Sequence, residues 1–187
     1  MTLSDASSDT SVDEPPATVA LPDVSVVLAA GAWPEPLATL ESDIIAACHS
    51  VWNHVDTQRY TMLDVAFPVV LSEDAHLHTL NQRYRHKDSV TNVLSFPSDE
   101  SPGQWHVDYP GVAFPLGDVL LACETVHREA QEKSIPFAHH VVHLAAHGML
   151  HLLGFDHQTE SEAKAMEAIE ISVLAQHNIP NPYTVDA

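Results

Sequence analysis

The stretch that most constrains the fold is an apolar segment from about Pro136 to Leu153 that carries histidines at regular spacing. Its composition predicts a helix that is apolar on nearly every side. His147 and His151 lie four residues apart within it, and residues four apart on a helix lie one above the other. Helix geometry alone therefore points two imidazoles toward one position in space.

A third histidine follows the end of this segment. If the helix continued, His157 would lie about 240° around the axis from His151 and roughly 9 Å along it, out of reach of the same ion. Gly154 can adopt the left-handed conformation that ends a helix and lets the chain turn back. We therefore expect His147, His151 and His157 to bind one divalent ion, with zinc favoured. Three neutral imidazoles leave an open position for water, as in catalytic zinc sites.

Chance is the alternative explanation for this pattern. The chain has 14 histidines, so pairs at four-residue spacing are easy to find, and His139 and His143 extend the same stripe. For His143 we favour a place beside the site, where it orients a ligand or packs against it. Chance does not readily add the glycine and the third histidine, so metal binding is the preferred interpretation. Nickel, cobalt and copper also accept three imidazoles, so the spacing leaves the metal open.

The spacing also matches the zinc motif of metzincin proteases. Those enzymes place a glutamate directly after the first histidine, where it acts as the general base. Gly148 occupies that position here. Peptide hydrolysis therefore lacks its usual base, and a zinc peptidase is the weakest of the functions considered.

The rest of the chain predicts an α+β fold, with a mixed sheet of about four strands covered by helices, because strands lie early and helices late. The predicted strands are Val24–Ala29, Leu63–Leu71, Val90–Phe96 and Val119–Ala122. The predicted helices are Pro36–Val55, a helix from an N-cap at Ser72 to Arg85, Glu124–Lys133, Pro136–Leu153, and Thr159–His177 with a capping box formed by Thr159 and Glu162. The stretch Ser98–Gly117, which contains proline and glycine, is predicted to be a surface loop.

Length and composition predict one domain. A chain of 187 residues with 45% hydrophobic residues can bury a core but does not require a second domain. Residues 1–22 are rich in Ser, Thr, Asp and Pro without hydrophobic periodicity, which predicts a disordered acidic tail. We place the domain at 23–180 and a C-terminal tail at 181–187.

Charge limits the possible partners. The chain has 26 acidic and 7 basic residues and a formal net charge of -19, so binding of nucleic acid requires a local basic patch. Four of the seven cations lie close together in sequence: Arg59, Arg83, Arg85 and Lys87.

The location of the protein is predicted to be cytoplasmic. No Lys or Arg precedes Arg59, so the basic start of a secretory signal peptide is absent. The apolar run Val24–Trp33 is too short to span a bilayer. Cys48 and Cys123 lack metal-type spacing and suit two buried thiols in a reducing compartment. We expect no membrane partner and no organic cofactor.

Three motifs resemble the YbeY family, bacterial metal-dependent endoribonucleases of ribosomal RNA maturation. The first is the histidine segment 143–157. The second is Leu80-Asn-Gln-Arg-Tyr-Arg85-His-Lys87-Asp88 followed by Thr91-Asn-Val-Leu-Ser-Phe-Pro97, and the third is Gly117-Asp118-Val. The resemblance runs from about Leu63 to Gln176. Locally, His86 stands where the family usually has glycine, and Ser89-Val90 where a Lys-Pro pair is common.

The resemblance implies a zinc-dependent, single-strand-specific endoribonuclease acting in maturation of the 16S ribosomal RNA 3′ end and in ribosome quality control. It implies that His147, His151 and His157 are the zinc ligands and that Arg85 is the functionally important arginine facing the site. Ribosomal RNA and the small ribosomal subunit or its proteins are the implied partners.

Several roles stay open at this point. Without the resemblance, the preferred explanation of Arg85 is a solvated arginine at a helix end, where the helix dipole favours it. Asp118 could cap, pair with Arg85 or touch the site, and Asp156 is expected to orient an imidazole rather than act as a base. The nucleophile could be metal-bound water or the RNA 2′-hydroxyl. The chief alternative function is a non-catalytic ribosome-assembly factor with a structural zinc.

Overall fold

A mixed five-stranded sheet lies at the centre of the computed structural model, which describes residues 19–34 and 36–184. The strands are β1 (Asp23–Leu28), β2 (Val65–Ser72), β3 (Val93–Pro97), β4 (Phe114–Pro115) and β5 (Gly117–Ala122). Their order is β1-β2-β5-β3, and the short β4 pairs with the start of β2. β1, β4 and β5 run parallel to β2, whereas β3 is an edge strand antiparallel to β5.

Six α-helices lie within the described residues. They are α1 (Leu37–His54), α2 (Asp74–Arg85), α3 (Pro102–Asp108), α4 (Cys123–Glu132), α5 (Phe137–Leu152) and α6 (Glu160–Gln176), with a single 3₁₀ turn at Gln58–Tyr60. Within the same residues, no helix is long and apolar enough to cross a bilayer.

The two faces of the sheet carry different cores, because successive side chains of a strand point to opposite faces. Val119 and Leu121 of β5 are fully buried in the larger core, which they share with residues of α1, α5 and α6. Leu120 and Ala122 belong to a smaller core with Leu77 of α2. The histidine-bearing α5 and the arginine at the end of α2 therefore start from opposite faces of the sheet.

The α+β fold with its mixed sheet is confirmed, but two local predictions are wrong. The predicted loop Ser98–Gly117 contains α3 and β4, which are too short to show a period in sequence. Trp105 fixes this segment, because its indole N–H donates to the Val112 carbonyl at 2.9 Å and its ring contacts Phe114. Ser72 is not an N-cap: it ends β2, and its hydroxyl bonds His76 Nδ1 at 2.8 Å.

Other local predictions are confirmed. Thr159 and Glu162 form a capping box at the start of α6. Cys48 and Cys123 are buried free thiols. Of the predicted tails, residues 1–18 and 185–187 lie outside the described residues.

Candidate metal centre

The structure brings together three imidazoles from the end of α5 and the loop that follows. One ring nitrogen each from His147, His151 and His157 lies within 4.8 Å of the others. His147 Nε2 and His151 Nε2 are 3.1 Å apart. Two nitrogens bound to one tetrahedral zinc at about 2.0–2.1 Å lie about 3.3 Å from each other. The spacing of the pair therefore fits a shared ion.

The chain returns to this point because α5 ends at a glycine, as predicted. Gly154 has a φ of 93°, its N–H donates to the His151 carbonyl, and the Phe155 N–H donates to the Leu150 carbonyl, both at 3.0 Å. These two bonds form a Schellman motif, which satisfies the last carbonyls of the helix. The backbone N–H of His157 then donates to the Asp156 carboxylate at 2.8 Å, which holds the loop that presents the third imidazole.

Hydrogen bonds on the far side of each ring orient the two helical histidines. His151 Nδ1 lies 3.0 Å from the Phe155 carbonyl, which can only accept, so Nδ1 carries the proton and Nε2 a lone pair. His147 Nδ1 lies 2.8 Å from Glu170 Oε1, which leaves the same tautomer. Two lone pairs facing each other at 3.1 Å repel unless a cation lies between them. The donor set thus fits a metal ion.

Burial favours the form of His151 that binds metal. Removal of the ring from water lowers the pKa of His151, and the neighbouring His147 lowers it further. A metal ligand must be the neutral imidazole. The surroundings of His151 therefore reduce the competition between protons and a cation.

Glu170 on α6 is the site residue that the sequence interpretation missed. Its side chain is fully buried. Oε1 accepts a hydrogen bond from His147 Nδ1 and Oε2 accepts one from His143 Nε2, each at 2.8 Å. Oε2 also accepts a hydrogen bond from the Tyr183 hydroxyl. Burial alone would raise the pKa of Glu170, but the hydrogen bonds from His143 and His147 hold it at about 2. The signal available in sequence was an acid on the buried stripe of α6, between Met166 and Val173.

A cleft of about 400 Å³ opens in front of the histidines. Arg85, at the end of α2, lines this cleft, and its Nη2 donates to the carbonyl of Ser95 on the edge strand β3 at 3.3 Å. Lys133 lines the cleft as well. Among the described residues that line it there is no Asp or Glu, although the chain has 26 acidic residues. The cleft is therefore locally basic in an acidic protein.

Behind the cleft wall, a second carboxylate is held by two polar side chains. Glu129 Oε2 accepts from Asn92 at 2.9 Å and from His140 Nε2 at 2.7 Å. Burial would raise the pKa of Glu129, but these two partners lower it. Burial also lowers the pKa of His140. Sequence spacing gives no sign of this network, because its members come from α4, α5 and the segment before β3.

Position 148 has no room for a side chain. A Cβ at Gly148 would lie 2.5 Å from Val119 Cγ1 and 3.0 Å from Ser95 Oγ. The position where a metzincin carries its base therefore packs against the sheet, and this strengthens the argument against a peptidase.

Two acids whose roles the sequence left open differ in their surroundings. Asp118 lines a different pocket, with Tyr84 and Phe96 on the α2 face of the sheet. Asp156 bonds the backbone of His157 and the side-chain amide of Gln158. These hydrogen bonds hold the loop that presents His157, and the charge of Asp156 also acts on the rings of His151 and His157.

One family model and named relatives match this chain over most of its length. The family model described as Endoribonuclease YbeY matches residues 37–178. A protein of Bradyrhizobium diazoefficiens named Endoribonuclease YbeY is 41% identical over 167 residues, which cover 87% of this chain and 86% of the relative. One from Rhodopseudomonas palustris with the same name is 41% identical over 170 residues, covering 90% of this chain and 85% of the relative. The solution structure of TM1509 from Thermotoga maritima, 22% identical, has a TM-score of 0.49 and covers 87% of this chain and 97% of that one.

Proposed function

The chain belongs to the YbeY endoribonuclease family, and we propose that it is a zinc-dependent endoribonuclease that cuts single-stranded RNA during maturation of the 16S ribosomal RNA 3′ end and in ribosome quality control. The observation that carries the proposal is the convergence of His147, His151 and His157 on a cleft lined by Arg85. A polyanionic substrate fits a cleft that has two cations and no carboxylate on its described walls.

Each group in the cleft has a distinct part in the proposed reaction. The three imidazoles would hold the ion, which when bound would supply Lewis acidity toward phosphate and lower the pKa of water. Arg85 pairs with phosphate oxygens through its planar guanidinium fork, which keeps its charge throughout the reaction. Lys133 adds a second positive charge on the same cleft.

The nucleophile is either water or the RNA 2′-hydroxyl. Gly148 leaves no room for a base at the position that metzincins use, so a water route would need the acidity that a bound ion confers. The two routes differ in their products. A 2′,3′-cyclic phosphate marks attack by the 2′-hydroxyl, and a plain terminal phosphate marks attack by water.

The acidic surface determines how RNA reaches the cleft. With a net charge of -19, long-range repulsion opposes tight binding of free RNA. We therefore propose weak, salt-sensitive RNA affinity and delivery through the small ribosomal subunit or its proteins, in the cytoplasm. Nanomolar binding to arbitrary RNA at physiological salt would contradict this part of the proposal.

Arg85→Ala tests the proposed reaction, with Arg83→Ala as the matched control. Arg83 lies on the same helix with its guanidinium 5.3 Å from the centre of the Tyr84 ring, and it does not line the cleft. In single-turnover cleavage of a ribosomal RNA fragment, we expect Arg85→Ala to be slower by about 10²-fold, the loss typical of a removed charge-stabilising donor. Arg83→Ala should remain near the wild-type rate.

Zinc content and thermal unfolding, measured on both variants, separate loss of chemistry from loss of fold. A folded, zinc-loaded Arg85→Ala variant that cleaves at the wild-type rate would exclude Arg85 from the reaction. The non-catalytic assembly factor is the second candidate, and the acidic surface favours it. Absence of cleavage by the wild-type protein under every metal condition would support that candidate.

A further inference from the structure

We propose that Glu170 is the positioning residue for the metal ligand His147, and that Tyr183 holds Glu170 in place from the C-terminal end of the described chain. This inference rests on the proposed metal site. It assigns a role to two residues outside the set of three histidines that would hold the ion.

The Glu170 carboxylate lies behind the His147 ring. Glu170 Oε1 lies 2.8 Å from His147 Nδ1, on the opposite side of the ring from the Nε2 that faces His151. A carboxylate in that place fixes both the tautomer and the rotation of a ligand imidazole, and it raises the basicity of the ligating nitrogen. His151 receives the same kind of support from a backbone carbonyl, that of Phe155.

Glu170 occupies a buried position in the fold. Its side chain is 1% exposed, among the apolar residues of the buried stripe of α6. A buried carboxylate is destabilising unless hydrogen bonds compensate for the lost water. His143 Nε2 and the Tyr183 hydroxyl take up the second oxygen, Oε2. Each oxygen of Glu170 therefore has a partner, and the carboxylate is fixed in one orientation.

Tyr183 reaches the Glu170 carboxylate from the segment after α6. It follows the end of α6, lines the cleft beside the histidines, and also lines a smaller cavity behind His147 and His157. Its ring meets His143 edge-on, with centroids 5.7 Å apart. The segment after α6 therefore completes the support of the metal centre through one hydroxyl.

The experiment measures metal binding by full-length protein that has been stripped of metal. Zinc affinity is measured by competition with a chromophoric chelator, and Co²⁺ is titrated to record its visible absorption bands, which report ligand geometry. The variants are Glu170→Gln and Tyr183→Phe. The control is Glu167→Gln, which removes the same charge one turn earlier on α6 from a residue that lines the cavity behind His147.

We expect Glu170→Gln to lose about 10–100-fold in zinc affinity, the range for partners that orient a metal ligand, and to alter the Co²⁺ spectrum. Tyr183→Phe should change both quantities in the same direction by less, and Glu167→Gln should match wild type. Equal affinity and spectra for Glu170→Gln and Glu167→Gln would overturn the inference, because only a general charge effect would then remain.

Two further outcomes are informative. If Glu170→Gln does not fold, Tyr183→Phe provides the test, because it removes only one hydroxyl from a residue that is 39% exposed. Wild-type zinc affinity and an unchanged Co²⁺ spectrum in Tyr183→Phe would overturn the inference. If wild-type protein binds neither zinc nor Co²⁺, the proposed function fails and the inference fails with it. If the wild-type protein binds zinc and the variants match it in affinity and Co²⁺ spectrum, the inference about Glu170 fails while the proposed function stands.

Discussion

Gly148→Ala adds one methyl group where α5 packs against the sheet. The new Cβ would lie 2.5 Å from Val119 Cγ1, 3.0 Å from Ser95 Oγ and 3.1 Å from Val119 Cγ2. Carbon atoms in good contact are about 3.5–4.0 Å apart, so something has to move. Val119 is fully buried in a central strand and Ser95 is 6% exposed, which leaves the helix itself as the element that shifts.

The expected cost follows from two opposing terms. Overpacking a well-packed core costs about 1–3 kcal/mol, and the depth of this overlap places the cost near the upper value. Alanine in a helix interior is favoured over glycine by about 1 kcal/mol. We therefore expect Gly148→Ala to lower the free energy of unfolding by about 2 kcal/mol, which corresponds to a decrease in Tm of about 4–8 °C for a chain of this size.

Denaturant unfolding measures this loss of stability in four proteins: wild type, Gly148→Ala, Val119→Ala and the double variant. Val119→Ala removes the two methyl groups that the new Cβ would meet, so the double variant should be more stable than the sum of the single effects by at least about 0.5 kcal/mol. Zinc affinity should fall in Gly148→Ala because α5 carries His147 and His151. Stability equal to or above wild type, or strict additivity, would refute the close packing of α5 on the sheet.

Three further predictions concern other parts of the chain. His157→Ala should stay folded, because His157 is exposed. It should nevertheless lose more zinc affinity than the roughly 10–100-fold expected when a residue that only orients a ligand is removed. Wild-type affinity in chelator competition would remove His157 from the ligand set. His86→Gly should raise the free energy of unfolding by about 0.5–1 kcal/mol, because His86 is held at a φ of 56° at the end of α2, where glycine has no steric cost. An unchanged or lower free energy in denaturant unfolding would contradict this prediction. Burial lowers the pKa of His140 below its ordinary 6.5, so below about pH 6.5 the unfolded chain binds more protons than the folded one and the free energy of unfolding decreases. In His140→Gln this free energy should fall less steeply between pH 6.5 and 5, and a slope identical to that of wild type would refute the role of His140.

The sequence was sufficient for the parts of the site that depend on local geometry. The four-residue spacing of His147 and His151 is a property of one helix, and the Schellman motif at Gly154 is a property of its last turn. Neither depends on the tertiary structure. For the same reason the capping box of Thr159 could be predicted from its spacing.

The partners that lie far away in sequence could not be predicted. Glu170 meets His147 across 23 residues and His143 across 27, and only the packing of α6 on α5 brings them together. Ser72 failed as an N-cap because pairing of β2 with β5 extends to that residue, and tertiary pairing outweighs the local preference of serine. The sheet order likewise depends on long-range contacts that no periodicity encodes.

Cleavage of a ribosomal RNA fragment by metal-stripped and zinc-reloaded protein tests the central claim most directly. A metal centre formed by His147, His151 and His157 predicts no cleavage after stripping, recovery of cleavage with about one zinc ion per chain, and no recovery in His151→Ala protein that remains folded. Cleavage that persists in fully stripped protein, or reloaded protein that contains zinc and leaves the RNA intact, would contradict the account.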